Sequence, residues 1–259
     1  MTSSEDVVSA MKTLKLPGMR KELDECIRLA EAKDLSYLEF LRGLFGSEIR
    51  GREESGCKTR RAAAHFPVEK RMTDFDFTFQ KSVKKTRIVN LAECRWVEQA
   101  TNILFAGPPG VGKTHLAISL GLNAIEKGYR VRFIHADDLF EEMYVQAAAG
   151  EVERYLRKLL KNDCIIVDEF GYLPLDANSG NYLYKLVNGA YERISLMITS
   201  NKDVGAWGEM FQDQAIAQAI LDRFLHHCEI FKMTGESYRL KGSEMGTGKD
   251  GKESGNDKG

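Results

Sequence analysis

Eight consecutive residues, Gly107-Pro108-Pro109-Gly110-Val111-Gly112-Lys113-Thr114, have the types and spacing of a phosphate-binding loop. Gly110 and Gly112 can take backbone conformations closed to residues with a Cβ, so successive N–H groups can turn inward around phosphate oxygens at a helix N-terminus. Lys113 adds a positive charge for the β- and γ-phosphates, and Thr114 offers a hydroxyl to Mg²⁺. The implied ligand is a nucleoside triphosphate. Farther along, Asp168 and Glu169 follow the apolar run Cys164-Ile165-Ile166-Val167. Asp168 would hold Mg²⁺, partly through water, and Glu169 would orient and polarise an attacking water. A carboxylate in that second position favours hydrolysis over transfer to another substrate.

Three further side chains are candidates. Asn201, after Ile198-Thr199-Ser200, reaches the γ-phosphate or the water if its strand lies beside the strands of the loop and the acidic pair; Asn is equally a common turn residue. Arg223 comes seven residues after Ile216, near the apolar face of its helix, and is either a local ion-pair partner or an arginine finger delivered to a neighbouring subunit's nucleotide. Arg239, in Gly-Glu-Ser-Tyr-Arg, is either a phosphate sensor or a surface charge.

Positioning these groups requires a β/α series. The pattern predicts strands at 102–106, 130–135, 164–167, 196–200 and 229–233, with helices from His115, over 138–149, 151–161, 181–193 and 213–227. Such alternation implies an α/β fold with a parallel sheet sandwiched by helices. Ahead of it, Leu23, Ile27 and Ala30, then Leu38, Leu41, Phe45 and Ile49, recur at helical spacing and predict a small helical unit with these stripes as its core. Gly51, Gly56 and Pro67 suggest a helix end and a linker, and Phe75-Asp76-Phe77-Thr78-Phe79 alternates as a strand would. The expected domains are a helical domain with basic linker over 1–66, an ATPase domain over 67–242 and a disordered tail over 243–259.

Global charge is uninformative, with 37 basic and 38 acidic residues. Its distribution is not: nine basic residues against three acidic ones between Lys58 and Arg87 give that segment a net charge of +6. Five scattered cysteines without C-x-x-C pairing argue against a disulfide framework or zinc site and point to a reducing cytoplasm. The adjacent His226 and His227 have no ligand set at metal spacing nearby in sequence, so a structural role at a helix end is expected. No apolar run is long enough to span a bilayer.

Taken together, the stretches GPPGVGKTHLA, IIVDEFGYLPLD, ITSN, AILDRFLHH and GESYRLK resemble the IstB family of insertion-sequence helper ATPases, AAA+ proteins related to the DnaC helicase loaders. The resemblance runs from about Leu14 to Lys241 and takes in Leu16-Pro17-Gly18-Met19 and Phe40-Leu41 of the helical part. It implies a P-loop NTPase of AAA+ type, with ATP and Mg²⁺ as cofactors. It assigns ATP binding and hydrolysis to Gly107–Thr114, Asp168, Glu169, Asn201, Arg223 and Arg239. It also implies a homo-oligomer, ring or spiral, on duplex DNA in service of a cognate transposase; the alternative is a DnaC-like loader gripping a replicative helicase. Lys58, Arg60, Arg61, Lys84, Lys85 and Arg87 then become candidates for contact with DNA phosphates, the alternative being a solvated, charged linker. Two departures stand out: Ala190 replaces an arginine that relatives often carry before Tyr-Glu-Arg, and only 28 residues follow Phe231, too few for a full helical lid.

Overall fold

The structure, a computed structural model, describes residues 4–171 and 174–239. The expected tail over 243–259 lies outside the described residues. The chain divides into two compact units, one up to Ala62 and one from Ala63 onward.

The first unit is built from α1 (Ser4–Thr13), α2 (Pro17–Lys33) and most of α3 (Tyr37–Ala64). Pro17 opens α2, where a missing N–H costs nothing. The Glu48 carboxylate of α3 accepts from the N–H groups of Gly18 (2.7 Å) and Met19 (3.1 Å), capping α2 from a neighbouring helix. The core is Met11, Met19, Leu23 and Leu44, with Phe40 and Cys26 against it. Two expectations are corrected here. The stripe Leu38, Leu41, Phe45 and Ile49 is exposed (79, 42, 55 and 57%), as is Ile27. Helix α3 carries two apolar stripes, and the one that meets α1 and α2 is Phe40 and Leu44. Nor does a linker begin at Gly51: α3 continues through Gly51 and Gly56 to Ala64. Each glycine costs about 1 kcal/mol relative to alanine, and the surrounding Arg, Glu, Lys and Ala residues offset it.

In the second unit, Met72–Asp74 forms a 3₁₀ turn, followed by α4 (Lys85–Leu91) and α5 (Arg95–Glu98). Phe75–Phe79, expected as a strand, forms none, and Phe77–Phe79 is a turn. The Asp76 carboxylate accepts from the N–H groups of Thr78 and Phe79, and this local turn competes with any ladder. Then come β1 (Asn102–Ala106), α6 (Lys113–Glu126), β2 (Val131–His135), α7 (Ala136–Ala148), α8 (Val152–Leu159), β3 (Cys164–Phe170), α9 (Ala177–Ala190), β4 (Ser195–Ser200), a 3₁₀ segment (Val204–Met210), α10 (Gln214–His226) and β5 (Cys228–Lys232). The strands form one parallel sheet in the order β2-β3-β4-β1-β5.

Successive strand residues face opposite layers. Ile165 and Val167 join the cluster of α7, α9 and α10 that includes Leu139, Leu186 and Phe224. Ile166 lies under α6, where Gly121 approaches it so closely that a Cβ would come within 2.8 Å of its methyl. Burial on both faces explains why β1 and β3 read as continuous apolar runs. The central position of β4 between β3 and β1 brings the strand ends that carry Asn201, the acidic pair and the phosphate loop to one edge. Among the described residues no helix is long and apolar enough to cross a membrane.

Candidate functional site

The phosphate loop leaves β1 between two neighbours: Gly107 N–H donates to the Ser200 carbonyl (3.0 Å) and Met233 N–H to that of Ala106 (2.7 Å). Gly110 and Gly112 have φ of +80° and +96°, in the left-handed region that a Cβ disfavours. A Cβ on Gly110 would also sit 1.9 Å from Ser237 Oγ, so the segment after β5 closes directly on the loop. Gly112 precedes α6 and offers no side-chain cap, which leaves first-turn N–H groups of the helix for an outside acceptor. The Lys113 ammonium donates to the carbonyls of Gly107 (2.7 Å) and Pro108 (2.8 Å). Burial holds it below the ordinary lysine range, with the charges of Asp168 and Glu169 opposing that shift and that of Arg239 adding to it.

The acidic pair is divided by a register shift between Val167 and Phe170, where β3 bulges against β4. Asp168 stays buried, 1% exposed, whereas Glu169 turns outward. Asp168 Oδ1 accepts from Thr114 Oγ1 (2.8 Å) and Thr199 Oγ1 (2.6 Å), and His135 Nδ1 lies 3.7 Å from Asp168 Oδ2. Glu169 has a φ of +60° and its N–H donates to Thr199 Oγ1 (3.0 Å). A left-handed conformation costs a residue with a Cβ roughly 1–2 kcal/mol, and here it aims a carboxylate into a cavity.

That cavity, of about 320 Å³, is large enough for part of a nucleotide. Lys113, Thr114, Glu169, Asn201 and Arg239 all line it. Asn201 Oδ1 is buried without a hydrogen-bond partner among the described residues, so its carboxamide is left unsatisfied at the edge of this cavity. Arg239 is brought in by the N–H of Tyr238, which donates to the Gly110 carbonyl (2.9 Å). Phe75 and Phe79 add apolar walls. The arrangement fits a phosphate chain and a hard divalent cation: uncapped N–H groups and a lysine for the first, the Thr114 hydroxyl and Asp168 carboxylate for the second.

Other candidates lie elsewhere. Arg223 does not line this cavity; its guanidinium donates to Asn188 Oδ1 and the Ala219 carbonyl (3.0 Å each) and lies 5.2 Å from the Tyr184 ring centre. The six basic candidates do not form one linker segment. Lys58, Arg60 and Arg61 lie on the last turns of α3 and in the first unit, whereas Lys84, Lys85 and Arg87 lie at the start of α4 in the second. Arg87 is engaged by Glu229 (3.1 Å) and the Phe231 ring (4.5 Å).

Sequence reasoning missed Thr199 and His135. Thr199 is fully buried and joins both carboxylate-bearing residues to β4. Its signal was a hydroxyl directly after the apolar run Leu196-Met197-Ile198, two residues before Asn201. His135 gave none, since only strand pairing sets it opposite Asp168.

Comparison with known proteins agrees with this geometry. The family model described as "IstB-like ATP binding protein" matches residues 9–245. The chain is 42% identical over 228 residues to the insertion sequence IS5376 putative ATP-binding protein of Geobacillus stearothermophilus, covering 88% of this chain and 91% of that protein. It is 39% identical over 231 residues to the insertion sequence IS21 putative ATP-binding protein of Pseudomonas aeruginosa, covering 89% and 87%. Among solved structures, the DnaC helicase loader has a TM-score of 0.51 at 20% identity, covering 57% of this chain and 87% of that one, a likeness of fold. The phosphate loop, the sheet order and these matches together make the chain a member of the IstB-like ATP-binding protein family of insertion sequences.

Proposed function

We propose that this protein hydrolyses ATP in a Mg²⁺-dependent reaction, assembles as a homo-oligomer on duplex DNA and thereby delivers target DNA to, or stimulates, a partner transposase. The observation that carries the catalytic part is the network at the end of β3: Thr114 and Thr199 both hold Asp168, while Glu169 is bulged into the cavity. In this reading the N–H groups and Lys113 bind the phosphates. Thr114 and Asp168 would hold Mg²⁺, partly through water, and the ion would supply charge neutralisation for the phosphate chain. Glu169 orients the attacking water and takes its proton, and Asn201 contributes its carboxamide to the same water or to the γ-phosphate. Arg239 senses the γ-phosphate from within the subunit. Arg223, held away from its own cavity, serves the nucleotide of a neighbour.

The domain reading follows: helical residues 1–66 engage a partner, and 67–242 form the ATPase. The relatives' insertion-sequence context supports the transposition role. The deciding experiment measures particle size and phosphate release together, with and without duplex DNA, alongside a pull-down against transposase and replicative helicase. ATP-dependent growth on DNA and recovery of transposase are expected. Recovery of helicase alone would replace this role with that of a loader, and no phosphate release in any condition would leave a nucleotide-gated binding module.

A further inference from the structure

The histidine pair that the sequence left as a helix end has a third partner in the fold. Glu192 follows α9, and tertiary structure carries it to His226, the last residue of α10, and His227 beside it. A ring nitrogen of each histidine and a carboxylate oxygen of Glu192 lie within 4.8 Å of one another, with His227 Nε2 and Glu192 Oε1 separated by 3.7 Å. All three side chains are exposed, so an ion can reach them and small rotations can close the set.

The backbones beneath are held. Asn102, at the start of β1, donates through Nδ2 to the Phe224 carbonyl (2.8 Å) and through its N–H to the His227 carbonyl (2.7 Å). Its Oδ1 accepts from Leu196 N–H (2.8 Å), tying in the strand that follows Glu192. Glu192 itself has a φ of +55°, an uncommon conformation for a residue with a Cβ. The Tyr191 hydroxyl lies 2.9 Å from His226 Nδ1 and orients that ring, the kind of outer oxygen partner that metal-bound histidines usually have.

We propose that Glu192, His226 and His227 form a transition-metal site, separate from the nucleotide's Mg²⁺, that takes Zn²⁺ or a similar borderline divalent ion. Two imidazoles and one carboxylate are a donor set suited to Zn²⁺, and with three protein ligands a fourth position stays open to water. Hard Mg²⁺, which prefers an octahedral shell of oxygens, is disfavoured by the same donors. Binding would fasten the loop after α9 to the end of α10. Those are the two helices whose Asn188 and Ala219 hold Arg223, so the ion would also brace the guanidinium.

The test titrates Zn²⁺, and Co²⁺ as a spectroscopic stand-in, into the full chain without nucleotide, and compares wild type with Glu192→Gln and with a His226→Ala/His227→Ala double variant. Expected are one ion per chain, a Co²⁺ spectrum without a thiolate charge-transfer band and a rise in melting temperature with Zn²⁺ but not with equal Mg²⁺. Glu192→Gln should weaken binding about 10-fold or more, and the double variant should lose both the binding and the thermal shift. All the substituted side chains are exposed, so both variants should fold, as the melting temperature in chelator will show. Wild-type affinity in the double variant, a thiolate band, or a wild type that binds no Zn²⁺ at millimolar concentration would each overturn the proposal.

Discussion

Thr199 illustrates how few groups are needed to hold two adjacent carboxylate-bearing residues in different surroundings. Its hydroxyl donates to Asp168 and accepts from the Glu169 N–H, so one buried oxygen links the proposed metal ligand to the backbone of the proposed water-positioning residue. Thr199→Val keeps the shape and removes both bonds. It should destabilise the protein by about 1–3 kcal/mol, because the buried Asp168 carboxylate loses a donor and the part-buried Glu169 N–H its acceptor, and it should lower ATP turnover; denaturant unfolding and phosphate release check the two effects. Glu169→Gln should spare nucleotide binding and reduce hydrolysis by roughly 10²–10⁴-fold, whereas Lys113→Ala should weaken binding itself. Nucleotide titration beside a phosphate-release assay separates them. Unchanged turnover in Glu169→Gln would remove that residue from its proposed role.

At the level of elements, the proposed DNA binding needs surfaces that carry positive charge. The basic residues belong to two helices rather than to one extended linker. Changing Arg60, Arg61, Lys84 and Lys85 together to Gln should weaken binding to unrelated duplexes about equally. It should also flatten the dependence of log affinity on log salt, by up to about 0.9 for every DNA phosphate that is no longer neutralised. Testing the α3 pair and the α4 pair separately then shows whether one helix carries the effect. Retention of the parent's salt slope by the quadruple variant would move the DNA-binding surface elsewhere, while ATP binding by the free protein should survive in every case.

The whole assembly is where Arg223 can be judged. Because its guanidinium is held by α9 and α10 outside its own subunit's cavity, Arg223→Ala should leave nucleotide binding by an isolated subunit intact. In the proposed oligomer it should reduce hydrolysis by about 10³–10⁵-fold, the range measured for arginine fingers. Mixing Arg223→Ala with Lys113→Ala subunits should restore some activity, since a mixed interface can pair an intact phosphate loop with an intact finger. Mixed assemblies that form and show no rescue would argue that Arg223 acts within one subunit.

The order of strands and helices from β1 onward, and the identity of the phosphate loop, were legible from local pattern, because doubly buried strands are apolar throughout and a loop that cradles phosphate requires glycine at set positions. Asp168 and Glu169 were legible as a pair following such a strand. That Asp168 is buried while Glu169 turns outward was not, since it depends on a bulge whose register is set by pairing with β4. Phe75–Phe79 alternates in the manner of a strand, yet bonds to the Asp76 side chain close Phe77–Phe79 into a turn, an outcome that alternation does not encode. The stripe Leu38 to Ile49 had the right period and the wrong face, because which of two apolar stripes becomes core depends on what the neighbouring helices present. Glu192 meets His226 and His227 across more than thirty residues of chain, through a juxtaposition that only the packing of α9 against α10 creates.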